Sequence, residues 1–270
     1  MRPKQNPFHL LFAYVFYIVI CSCLILMSAG FVEAILEESP AGGGWLQLDD
    51  EHDFVGTVEE WFPKEEFEEL TAEAWIYIDE GPDPETYWSV IGQEGRFSLV
   101  IHSYLAGGLG AEVRAKNARC AAGAIVREIP KKTWVHVVAF CNAGAGLGLN
   151  GSVFVGAPGG HLLKSDKTLR IGGLMPKDTK TANFGENVRL RGYVDEVRIS
   201  SVLRYSLPGY QVPKGRFEVD EDTLCLWNFD EGPGSDRYED SSGNGYHLWR
   251  GALAVQARNK LSTTWGRLKE

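Results

Sequence analysis

The stretch Ala72-Glu73-Ala74-Trp75-Ile76-Tyr77-Ile78 alternates strictly. Ala72, Ala74, Ile76 and Ile78 fall on one face of an extended chain and Glu73, Trp75 and Tyr77 on the other, the period of two of a half-buried strand. Working outward, short alternating or β-branched runs recur from Trp45 onward, at Trp88 to Gly92, Phe97 to Ser103, Leu109 to Ala115, Val153 to Val155, Leu169 to Gly172 and Thr223 to Phe229. Gly, Pro, Asn and Asp punctuate them, and no window holds a helical period. Lys64 to Leu70, with Glu65, Glu66, Glu68 and Glu69, reads as a solvated loop or single turn. Asn150-Gly151, between Leu149 and Val153, predicts a type I′ hairpin turn. About a dozen strands at regular spacing predict an all-β chain folded as a two-sheet antiparallel β-sandwich.

One further hairpin takes a register from its pattern. A turn at Glu128 to Thr133 pairs Val126 with Val135, Ala124 with Val137, Ala122 with Ala139 and Cys120 with Cys141 on one face. Arg127 then faces Trp134 and Ile125 faces His136 on the other. In an oxidising compartment this register predicts a Cys120–Cys141 disulfide. Cys225 is left reduced in an apolar strand.

The N-terminus supplies the compartment. Arg2 and Lys4 precede Phe8 to Val32, a run without Asp, Glu, Lys or Arg, and Val32-Glu33-Ala34 fits a signal-peptidase site. Residues 1–34 read as a signal peptide or, uncleaved, a signal anchor, since the run is long for the first. A lipoprotein with Cys23 as its acylated residue is a weaker alternative. Positive charge before the run and Glu33, Glu37 and Glu38 after it place the remainder outside the cytoplasm, extracellular or at the cell surface. Membrane contact is then confined to the N-terminal segment if uncleaved. Residues 35–44, ending in Ser39-Pro40-Ala41-Gly42-Gly43-Gly44, read as a flexible linker, 45–258 as a single sandwich and 259–270 as a polar C-terminal tail. With 27 Lys plus Arg against 36 Asp plus Glu, the net charge of −9 lacks the basic footprint of a nucleic-acid binder.

Four segments together resemble the laminin-G-like members of the concanavalin A-like lectin/glucanase superfamily. They are Trp45 to Val55 (Trp-Leu-Gln-Leu-Asp-Asp-Glu-His-Asp-Phe-Val), Leu70 to Ile76, the pair Lys132 to Val137 with Leu149 to Gly156, and Gly192-Tyr193-Val194-Asp195-Glu196-Val197-Arg198-Ile199-Ser200. The resemblance covers about Trp45 to Tyr205 and implies a concanavalin A-like jelly roll. A fifth segment, Leu226 to Gly234 followed by Asp240-Ser241-Ser242-Gly243-Asn244-Gly245, looks like the pattern that often opens such a domain, yet here it closes the chain. With some forty residues left, it is expected to supply the last strands of one sandwich. For function the resemblance implies less, because the superfamily mixes lectins, adhesion modules and hydrolases.

Candidate site residues follow from the chemistry such a domain needs. Trp75, Tyr77, Trp88, Trp134 and Tyr193 are the candidates for a sugar-stacking platform, most of them expected in the core or under loops. Asp195 sits where the apolar phase slips from Val194 to Val197 and Ile199, which predicts a β-bulge at Asp195-Glu196. Asp240, Ser242 and Asn244 form an oxygen-rich loop that either makes turn hydrogen bonds or, with Asp195, holds one structural calcium ion. Glu218, Asp220 and Asp222 share a phase as the carboxylates of glucanases do, but Glu221 crowds them and they precede the apolar strand, so a solvated acidic turn is expected and no catalytic residue is assigned. His52, His102, His136, His161 and His247 have no zinc spacing, and no G-x-S-x-G elbow occurs. The expectation is a non-enzymatic binding or adhesion module whose partner is a glycan or a cell-surface protein, carbohydrate leading by resemblance. The alternatives are a structural surface domain and a divergent glycan hydrolase.

Overall fold

The structure, a computed structural model, describes residues 37–49, 54–57, 67–81, 86–93, 96–102, 108–115, 118–123, 129–142, 144–158, 168–173 and 186–251. The expected leader at 1–34 and tail at 259–270 lie outside the described residues. Among the described residues, sixteen strands form two sheets. The first runs β1 (Leu46–Leu48), β13 (Gly192–Ser200), β3 (Glu69–Tyr77), β8 (Trp134–Asn142), β9 (Gly144–Leu149) and β10 (Ser152–Pro158), with β14 (Thr223–Trp227) also paired to β13. The second runs β15 (Arg237–Tyr238), β16 (Leu248–Arg250), β2 (Val55–Gly56), β11 (Leu169–Ile171), β4 (Thr86–Gln93), β5 (Phe97–His102), β6 (Gly108–Ala115) and β7 (Ala118–Gly123). Beside β4 lies β12 (Glu186–Arg189), in parallel, whereas the other strand pairs are antiparallel. The C-terminal segment thus feeds both sheets, β14 beside β13 and β16 beside β2.

The alternation that reads out of β3 sets the layers. Ala72, Ala74, Ile76 and Ile78 point into one core with Val135, Val137 and Ala139 of β8, Val194, Val197 and Ile199 of β13, and Ile91, Leu99 and Leu169 of the second sheet. Burying each of the Val, Leu and Ile side chains contributes roughly 1.5–3 kcal/mol. The bulge expected at Asp195-Glu196 is present. The β13–β3 register shifts between Asp195 and Arg198, and Glu196 takes a φ of 43°. The extra residue lets Val194 and Val197 both face the core. Asn150 and Gly151, at φ 44° and 88°, make the two-residue turn that joins Leu149 to Ser152.

Two expectations are corrected. The inward face of β8 is as read, but its partners are not Val126, Ala124, Ala122 and Cys120. Cys141 lies opposite Leu70 and Ala145, and Ala139 opposite Ala72 and Leu147. Cys120 lies in the second sheet opposite Val113, so the ladder that motivated a Cys120–Cys141 disulfide does not exist. An apolar alternating strand matches any other in period, and β3 supplies a longer ladder than the local hairpin would. Nor does the segment before Trp45 behave as a flexible linker. Ser39 and Ala41 are buried, Ser39 Oγ donates to Asp195 Oδ2, and Gly44 N donates to Asp230 Oδ1 at 3.2 Å.

Candidate functional site

Where β1 and β3 end and β13 begins, a cleft of about 260 Å³ opens. Gln47, Leu48 and Asp49 line it from β1 and just beyond, Asp79, Glu80 and Gly81 from the turn after β3, Trp88 from β4, and Arg191, Gly192 and Tyr193 from the start of β13. Gly192 is needed there, for it holds a φ of +144° and a Cβ would sit 2.2 Å from the Tyr77 carbonyl oxygen. Tyr193 stands between two rings packed edge to face, Trp45 at 6.3 Å and Tyr77 at 5.7 Å. It is half-buried, while Trp88 is only 4% exposed. Asp49, Asp79, Glu80 and Arg191 are exposed, and Gln47 Nε2 donates to Asp49 Oδ2 at 3.2 Å. Rings held rigidly beside charged and amide groups can cover the apolar face of a sugar while its hydroxyls find hydrogen-bond partners.

Of the five aromatic candidates the structure brings Trp88 and Tyr193 together in this cleft. Trp75, Tyr77 and Trp134 are buried on the outward face of the first sheet, Tyr77 and Trp134 with centroids 5.7 Å apart. That face is covered by the segment from Ser201 to Asp222. Thr71 Oγ1 donates to Val202 O at 2.7 Å, Tyr210 N donates to Gly151 O at 2.9 Å, and Ser201 N donates to Asp222 O at 2.9 Å. Gly146 and Gly148 of β9 make room beneath it. A Cβ on the first would meet the Phe140 ring at 2.1 Å and one on the second the Tyr210 ring at 2.8 Å.

Under this strap lies a polar cluster that sequence reasoning missed. Glu73, wholly buried, accepts Arg198 Nε at 2.9 Å and Tyr205 Oη at 2.6 Å, and lies 3.2 Å from His136 Nε2. His136 Nδ1 is 2.9 Å from Tyr210 Oη, and the Arg198 guanidinium lies 4.7 Å from the Phe217 centroid. Burial alone would raise the pKa of Glu73. The hydrogen bond with His136, the Arg198 charge and the Tyr205 hydroxyl outweigh it and hold the carboxyl below its ordinary 4.5. Burial and the Glu73 charge push Tyr205 well up. This closed, mutually satisfied set fastens the strap to the sheet. One signal was available: Glu73, Trp75, Tyr77, Trp134 and His136 share the outward phase, and a face so aromatic needs a cover.

The remaining candidates are placed apart. Asp195 receives Ser39 Oγ and Glu196 N, and burial pushes it up to about 7 despite those bonds. Asp240 receives Leu226 N, Ser242 N, Ser242 Oγ and Tyr246 N, at 3.1, 3.0, 2.7 and 2.9 Å. Asn244 Nδ2 donates to Thr223 O and Leu224 O, both at 3.1 Å. Leu226 presents both N–H and C=O to this loop, so the loop lies along the edge of β14 away from β13, and β14 stands between Asp240 and the strand that carries Asp195. The loop therefore has the turn hydrogen bonds weighed above, and Asp195 does not join it in one ligand shell. Among the described residues no group of three or more His, Cys, Asp or Glu is placed to hold a metal ion. Glu218, Asp220 and Asp222 form the expected acidic turn, the first two exposed and Asp222 half-buried, with Asp220 held by Arg204 through bonds of 2.9 and 2.6 Å.

Two largely antiparallel sheets with this strand order define a jelly-roll sandwich of the concanavalin A-like class. The chain belongs to the concanavalin A-like lectin/glucanases superfamily, a laminin G profile of which matches residues 42–205. A candidate carbohydrate-binding protein from Bacteroides ovatus is similar at 18% identity and a TM-score of 0.51, over 77% of this chain and 57% of that one. This chain thus spans little more than half of that relative. Domains of the mouse laminin α1 chain match at 16% identity and a TM-score of 0.42, over 66% of this chain and 46% of theirs. A heptameric pentraxin from Limulus polyphemus matches at 12% and 0.42, over 77% and 93%. At such identities the likeness is one of fold. A search of curated proteins gives no significant match.

Proposed function

We propose that this chain is an exported, non-enzymatic binding module that takes carbohydrate in the cleft between Trp88 and Tyr193. The observation that carries the reading is the half-buried Tyr193 ring, fixed by Trp45 and Tyr77 and facing a cleft rimmed by charged and amide side chains. At about 260 Å³ the cleft lies just under the roughly 300 Å³ at which small-molecule sites begin, room for one sugar unit or a chain end. Binding without turnover is supported by where, among the described residues, the carboxyls that burial raises lie. Glycoside cleavage by the usual pair of carboxylates needs one held protonated beside the scissile bond. Burial raises Asp195 and Glu196, but both are inaccessible at 0% exposure. Export rests on Arg2, Lys4 and the uncharged run from Phe8 to Val32, and it places the module outside the cytoplasm or at the cell surface.

A glycan-array screen of the protein and of its Tyr193→Ala variant tests this. Saturable binding to a sugar, lost in the variant at unchanged melting temperature, is expected. Release of reducing sugar would promote the hydrolase. Binding to a surface protein with every glycan refused would leave an adhesion domain.

A further inference from the structure

The charges around the cleft say more about its ligand. Its lining holds three carboxylates, Asp49, Asp79 and Glu80, and one guanidinium, Arg191. Lys131 lies nearby, its Nζ 3.8 Å from where a Gly81 Cβ would be, so among the described residues acids still outnumber bases by three to two. The half-buried Tyr193 ring has the same preference, because the negative face of a Tyr ring attracts a cation, while Trp88, 4% exposed, only backs the cleft. Neutral hydroxyls would be served equally well by amides. A sugar carboxylate or sulfate would meet three like charges, which penalises it.

Resting on the reading of this cleft as a glycan site, we propose that it selects a glycan bearing a free amino group, the ammonium set between the carboxylates of Asp79, Glu80 and Asp49 and the ring of Tyr193. Rings and carboxylates are independent features here. The carboxylates stand on the turns after β1 and β3, whereas the rings are fixed by packing within the sandwich. An amide-capped sugar loses both attractions, so the cleft distinguishes a hexosamine from its N-acetylated form.

The test is calorimetric titration of the full chain with β-1,4 oligomers of glucosamine, N-acetylglucosamine and glucose. The glucosamine oligomer is expected to bind about tenfold or more tighter than the other two at low salt, an advantage that shrinks as salt screens it. The double variant Asp79→Asn, Glu80→Gln is expected to lose that preference and keep its melting temperature, while Tyr193→Ala loses affinity for all three. Equal binding of the three oligomers, or tighter binding of the acetylated one, overturns the amine selection and leaves the glycan reading standing. Glucosamine binding that survives Tyr193→Ala also overturns it, since it would reflect only attraction to an acidic surface. No binding of any sugar removes both readings.

Discussion

Replacing Arg198 with Met separates the charge that steadies the strap from the packing around it. Met keeps an apolar stem beside Phe217 but withdraws the Nε and Nη2 contacts to Glu73 Oε1, at 2.9 and 2.8 Å, and the Nη1 bond to Glu218 O at 3.0 Å. Arg198 is 9% exposed along its side chain and Glu73 not at all. Removing one partner of such a buried pair costs about 3–5 kcal/mol, chiefly because the other charge is left without compensation. Tyr205 and His136 still contact Glu73, which puts the expected loss near the lower end. At about 2–4 °C per kcal/mol for a domain of this size, that is roughly 10 °C in Tm. The sign with pH is opposite in the two proteins. In the parent Glu73 is held below 4.5, so its contribution is present above that pH and fades as pH falls through the lowered value. Without Arg198 burial dominates and Glu73 retains its proton more readily, so the variant's deficit should shrink from pH 8 to pH 5. Urea unfolding at both pH values measures this, with Glu73→Gln and the double variant completing a cycle. A loss under about 1 kcal/mol, or single-variant losses that simply add in the double, refutes the network as the strap's fastening.

Gly192→Ala should destabilise by about 2–4 kcal/mol in urea and abolish ligand binding, because its Cβ meets the Tyr77 carbonyl at 2.2 Å and the residue that follows it is Tyr193. Wild-type stability in that variant would show that the start of β13 shifts freely. Calcium and chelator are expected to give the same melting temperature, since Asp240 already holds four donors and β14 separates it from the strand of Asp195; a Tm that rises with calcium refutes this. Cys225, wholly buried in β14 with its thiol pushed well up by burial, should resist alkylation until the domain unfolds, a point peptide mapping with and without denaturant checks.

How far the chain could be read depends on the range of the interaction. Period-two alternation is local, so the inward and outward faces of β3 and β8 and the slip at Asp195-Glu196 were legible. So was the Asn150-Gly151 turn. Partner choice is not local. Val135, Val137, Ala139 and Cys141 fit an apolar strand from either side, and β3, some sixty to seventy positions upstream, took the place given to residues 120–126. The cleft was half visible. Trp88 and Tyr193 stood among the five candidates, but Asp79, Glu80 and Arg191 sit in turns without a periodic signature and gain meaning only when the ends of three strands meet. The strap left still less trace, because Ser201 to Asp222 has no regular period, and Glu73, His136, Arg198, Tyr205 and Tyr210 are united only by the sheet.

The order in which the sandwich can close follows from its last strands. The partners of Val55 and Gly56 in β16 are Arg250 and Trp249, roughly two hundred positions downstream, and β14 completes β13 only from Thr223 onward. Until that final stretch is available, β2 and β13 each lack a neighbour, and loop closure over so long a span is slow. A polypeptide built this way stays open for most of its synthesis, and becomes a rigid body only once its final strands have emerged.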